Sequence, residues 1–175
     1  MEKKIQIWDS SRLFLLSSLE PIMQSVAMII LVTYFQGSLF HKTLLAILMP
    51  SGLLLSLGIV MICSHHYWGK NKILFTLTCI ASLSMLLATQ TQSAWIFIIL
   101  IAIPVMCMYS MAPIAAEVYS IFKKEQRALR YTTSIIATVS GALLFTYIFK
   151  IMLKDSEFNY KVLLTLTAII LFFSA

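Results

Sequence analysis

Six apolar runs, parted by short polar breaks, constrain this chain more than anything else in it. They cover residues 12–35, 43–63, 73–89, 94–116, 132–149 and 162–175. A helix that crosses roughly 30 Å of hydrocarbon needs about 20 apolar residues, and most of these runs are of that order, too long for core helices. Only 11% of the residues are charged, 60% are hydrophobic and the mean hydropathy is +0.92. A soluble domain carries about a quarter charged residues to cover its wet surface. A membrane β-barrel would instead show short alternating segments, and these runs do not alternate. The expected fold is therefore all-α: one polytopic transmembrane bundle of six helices over residues 1–175. Short breaks make sequential helices antiparallel neighbours. The first run is too long for a signal-peptide core and no small-residue cleavage site follows it, so it stays as a span. The last run, 14 residues, reaches only about 21 Å. The expectation is a fragment, a truncated product or half of something larger.

Charge sets the orientation. The net charge is +6, but the cations sit in the inter-helix segments, which is a topology signal rather than a polyanion site, so no nucleic-acid partner is expected. Lys3, Lys4, Arg12, Lys70, Lys72, Lys123, Lys124, Arg127 and Arg130 fall on one side, nine in all, against Lys42, Lys150, Lys154 and Lys161 on the other. The positive-inside rule then puts the N-terminus and the "SHHYWGKNK" and "IFKKEQRALR" segments in the cytoplasm. The expected location is the plasma membrane, the inner membrane in a bacterium. Cys63, Cys79 and Cys107 lie in or beside apolar runs without metal-ligand spacing and read as packing residues. His41, His65 and His66 fall in turns and make a poor chelate, so no metal site is expected. Trp8, Trp68 and Trp95 sit near the interfaces, where aromatic anchors belong.

The turn between the second and third spans carries Gly69, Lys70 and Lys72. In this it resembles the major facilitator superfamily, whose members place G-x-x-x-D-R-x-G-R-R/K there. The earlier positions depart: the first glycine falls on Ile62, the aspartate on His66 and the arginine on Tyr67. The carboxylate that latches the family's cytoplasmic side thus has no counterpart at His66. Pro113, Phe122, Arg127 and Gly141 fall at the offsets of the family's proline helix, F-P-T-x-x-R segment and glycine helix, with Lys123 and Lys124 replacing the Pro-Thr pair. This form is most similar to the C-terminal half of metabolite:proton symporters of the proline/betaine and dicarboxylate type. The resemblance implies two six-helix bundles around a central cavity, with solute bound near the midplane. A complementary six-helix half is then an expected partner, beside the lipid bilayer, a small organic solute and protons.

Glu20 is the most informative single residue. It lies about 12 Å along the helix past Arg12, where a charge costs roughly 2.5–3.5 kcal/mol and should face a cavity or a partner. Ser17, Glu20 and Gln24 are spaced by three and four, on one helical face, with Tyr34 near it almost four turns on. The resemblance makes the first helix a cavity wall, and so makes Glu20 the proton-coupling candidate and Ser17, Gln24 and Tyr34 the cavity candidates. An ordinary buried or snorkelling glutamate is the competing reading. Gly69, Lys70, Lys72, Glu117 and Arg127 are candidates for a cytoplasmic gate, Glu117 pairing with Lys70 or Lys72; plain interfacial charges are the alternative. Pro21, Pro50, Gly52 and Pro104 mark bends or close packing.

Two functions stand at this point. One is a secondary transporter, or half of one, that moves a small polar organic solute with protons by rocking bundles. The other is a non-transporting remnant or membrane scaffold. An enzyme is not expected, since no histidine lies within a run and no G-x-x-x-x-G-K-[ST] loop is present. No catalytic residue and no cofactor are expected.

Overall fold

The structure is a computed structural model, and it describes residues 2–65, 69–119, 124–154 and 160–174. All secondary structure among them is helical. In lipid every backbone N–H and C=O needs an internal partner, and a helix supplies one to each within its own segment. The N-terminal run consists of α1 (Glu2–Leu16), α2 (Leu19–Pro21), a π turn (Ile22–Val26) and α3 (Ala27–Thr33). After it come α4 (Leu39–His65), α5 (Lys70–Gln90), α6 (Ala94–Tyr119), α7 (Lys124–Lys154) and α8 (Tyr160–Ser174).

Among the described residues four helices are long and apolar enough to cross a membrane, over Leu39–Cys63, Lys70–Gln90, Ala94–Ala115 and Arg127–Leu153. The N-terminal run is divided, and α8 has 15 residues, or about 22 Å. The helices outrun the apolar runs, with starts at Leu39, Lys70, Lys124 and Tyr160 where the apolar runs open at 43, 73, 132 and 162. Hydropathy marks the part that suits lipid. Lysine, glutamine and arginine are good helix formers and carry the backbone further into the interface.

Packing follows the burial pattern. α5 lies between α6 and α8, and 56% of its apolar window is buried, against 22% for α4 and 17% for α7. Small residues let these helices approach. Ser82 Oγ donates across to the Ala168 carbonyl on α8 at 2.7 Å. On the other flank Thr78 Oγ1 faces Met111 Sδ on α6 at 3.8 Å. α4 lies on α6 through Gly52 and Ser56, four residues apart and both buried. A Cβ on Gly52 would stand 2.6 Å from Val105 Cγ1, and Ser110 Oγ lies 3.4 Å from the Ser56 carbonyl. This is the small-x-x-x-small approach of membrane helices. α7 packs on α1 and α2, and α1 also touches α8.

Candidate functional site

The N-terminal run bends where its sequence cannot sustain the α-helical ladder. Pro21 has no N–H to give and its ring crowds the preceding turn. The ladder tightens before it, with Ser18 N–H reaching Leu15 O at 3.1 Å and Glu20 N–H reaching Ser17 O at 3.2 Å. It loosens after it, where Ala27 N–H reaches back five residues to Ile22 O. Backbone angles stay right-handed helical through Ser18, Pro21 and Val26, so the rod changes register without unwinding. Such π insertions recur at functional sites.

The candidate residues fall around this irregularity. Ser17 is buried and its hydroxyl donates to the Phe14 carbonyl at 2.6 Å. Ser18 is fully buried, and its Oγ has no hydrogen-bond partner among the described residues. Glu20 is half-buried and engages a neighbour. The side chain of Gln24 lies outside the described residues. α7 closes on the same place through Gly141, where a Cβ would run into Ser17 Oγ and the Phe14 carbonyl oxygen. The one-face spacing of the sequence assumes an unbroken α-helix. The tightened turn alters that register between Ser17 and Glu20, and the π turn alters it between Glu20 and Tyr34. Tyr34 is 45% exposed at the far end of the run, about 21 Å away along the axis, with its ring 4.6 Å from that of Tyr160.

The gate candidates are placed at the other end. Gly69 is the N-cap residue of α5, with φ −58° and ψ 135° that any residue adopts, and open space beside it. Lys70, Lys72 and Arg127 are exposed, and Lys70 and Arg127 each engage a neighbour. The side chain of Glu117 lies outside the described residues, and with it the pairing to Lys70 or Lys72. Those of His65, His66, Trp8 and Trp68 lie outside them too.

Sequence reasoning passed over a buried arginine. Arg130 reads as a positive-inside anchor, yet it is 5% exposed, and arginine is almost never so buried unless paired. It engages a neighbour. The signal was available, since Arg130, Ser134, Gly141, Phe145 and Phe149 recur every four or seven residues and form the buried face of α7. On α1, Arg12 also has its Nε buried, without a hydrogen-bond partner among the described residues. The α1–α7 seam is built where Gly141 meets Phe14 and Ser17 and Phe145 meets Phe14; Arg130 lies on the same face of α7 nearer its start, and Glu20 follows on α2. Among the described residues no three His, Cys, Asp or Glu gather as a metal site.

No protein-family model, curated protein or solved structure matches this chain.

Proposed function

We propose that the chain is a six-span half of a secondary transporter, in the manner of the major facilitator superfamily, which moves a small polar organic solute with protons by rocking against a complementary half in the plasma membrane. The order of helix contacts carries this reading. Counting the N-terminal run as the first rod and α4 to α8 as the second to sixth, the second rod packs on the fourth and the fifth on the first. The third packs on the fourth and the sixth on the first, while the third and sixth pack on each other. Exchanging rods one to three with rods four to six maps this set onto itself. A contact between α3 and α4 is the departure.

The glycine contacts obey the same exchange. Gly52 on the second rod seats against Val105 on the fourth, and Gly141 on the fifth seats against Phe14 and Ser17 on the first. With an odd number of spans per repeat, the two repeats run in opposite senses, the inverted arrangement that alternating access uses. It leaves α5 and α8 behind, and α4 and α7, with little of their surface buried, in front beside the bent first rod. A face of that kind suits one wall of a solute path, with Glu20 near its middle.

Flux measurements test the reading. Reconstituted into vesicles holding a pH-sensitive dye, the chain, alone or co-expressed with a second six-helix chain, is expected to acidify the lumen when given a proton gradient and a transported zwitterionic or dicarboxylic solute. Silence under every solute and pairing would leave the scaffold reading. Orientation has its own check: Gln92→Cys in intact cells should react with an impermeant maleimide while Gly69→Cys stays unlabelled. The reverse pattern inverts the bundle and removes the cytoplasmic gate.

A further inference from the structure

The connection between α3 and α4 closes on a histidine that the transport reading does not use. Gln36 turns through a left-handed φ of 47°, and Gly37 N–H returns to the Leu31 carbonyl at 3.0 Å. Ser38 then opens α4, its carbonyl accepting from Lys42 N–H at 3.1 Å. Ser38 is therefore the N-cap residue, and His41 is the third residue of the helix. The backbone N–H of Ser38 donates to His41 Nδ1 at 3.2 Å, and Ser38 Oγ lies 2.8 Å from the same nitrogen. In a capping box a Glu or Gln at the third position accepts this bond. Here an imidazole takes its place.

That substitution has a chemical consequence. A backbone N–H can only donate, so Nδ1 must offer its lone pair, and the neutral ring then carries its proton on Nε2. Nε2 is buried, with no hydrogen-bond partner among the described residues. The ring stands edge-on to Trp95 at the head of α6, centroids 4.8 Å apart at 70°, and Phe40 flanks the same indole at 5.6 Å. One imidazole thus ties the cap of α4 to α6.

We propose that His41 is a proton-released catch: a proton taken from solvent onto Nδ1 replaces the accepting lone pair with a donor, so the cap opens and α4 loosens from Trp95. The Ser38–His41 bonds are exposed, so that proton has a path to the nitrogen. A glutamine at this position would not respond, whereas histidine ordinarily changes charge between pH 5 and 8. On its own helix the nearest charge is Lys42. The connection contributes Tyr34, which faces Tyr160, and the first turns of α6 contribute no ionisable group. Lys161 heads α8 at the same end, while Asp155 and Glu157 lie outside the described residues. In the proposed orientation this end faces outward, but neither the catch nor its test requires transport.

Amide hydrogen exchange at Ser38 and Lys42, corrected for the intrinsic effect of pH, reads the cap directly. In the wild type, exchange at both amides is expected to rise about fivefold between pH 8 and pH 5, the scale of a lost N-cap. His41→Gln keeps an acceptor and should stay protected throughout, and His41→Ala should exchange fast at both pH values. In a Trp8→Phe, Trp68→Phe background, Trp95 emission should change with the same midpoint, and not in His41→Gln. A flat wild-type profile, the same change in His41→Gln, or wild-type protection in His41→Ala at pH 8 would each overturn the proposal.

Discussion

Glu20→Gln should reduce proton-driven solute uptake to the level of empty vesicles while leaving the protein folded. Glu20 lies between the tightened turn at Ser17 and the π turn at Ile22–Val26, half-buried in a rod whose neighbours on the α7 side are Gly141 and Phe145. A full charge held at such depth costs roughly 2.5–3.5 kcal/mol. In the proposed cycle this carboxyl is the group assigned to carry the proton. Glutamine keeps the volume and cannot carry the proton. Stability should change by no more than about 1 kcal/mol, because the substitution conserves volume and creates no cavity. Exchange of labelled for unlabelled solute should persist, since it needs the site but no net proton movement. Glu20→Asp is expected to retain coupled uptake in part. If Glu20→Gln kept full proton-driven uptake, coupling would lie elsewhere, and the buried Arg130, Ser17 and Ser18 would be the next place to look.

The long helices were legible in the sequence because hydropathy and helix formation coincide in lipid. A run such as 94–116 has no way to satisfy its backbone except as a helix, and it is one, Ala94–Tyr119. The bend in the first rod was legible only as Pro21. Its physical form depends on which carbonyls Glu20 and Ala27 find, and a proline alone does not say whether the ladder tightens or loosens beside it. The neighbour relations were not legible either. Sequential order suggests that the fifth rod lies beside the fourth, whereas α7 packs on α1, a choice that rests on Gly141 meeting Phe14 and Ser17. Arg130 illustrates the same limit. Its charge suits an interfacial anchor, and only the register that puts it on one face with Ser134, Gly141, Phe145 and Phe149 shows that it must be buried. Charge assigns a side of the membrane; helical phase assigns a side of the helix.

Gly141→Val should be the most damaging single change in the bundle. A Cβ at this position would run into Ser17 Oγ and the carbonyl oxygen of Phe14. A serine hydroxyl can swing aside, but a backbone oxygen cannot, so the two helices must move apart. Their separation unpacks the seam on either side, including the Phe14–Phe145 ring contact at 5.9 Å, Phe149 and the buried Arg130. The loss should reach about 3 kcal/mol, the upper end of ordinary overpacking, measured as a shift in reversible unfolding within bicelles. Gly58 supplies the control, since nothing lies within 4 Å of its Cβ position, and Gly58→Ala should stay within about 0.5 kcal/mol of the wild type. Gly52→Ala should fall between the two at about 1 kcal/mol or more, because its obstacle at 2.6 Å is a side-chain methyl of Val105 rather than a backbone atom. Adding Ser17→Ala to Gly141→Ala should recover part of the loss and leave the part owed to the Phe14 carbonyl, giving a favourable coupling in a double-mutant cycle. Equal stability of Gly141→Val and Gly58→Ala would mean that α1 and α7 do not meet this closely in the bilayer, and the exchange of rods that supports the transporter reading would lose one of its two glycine contacts.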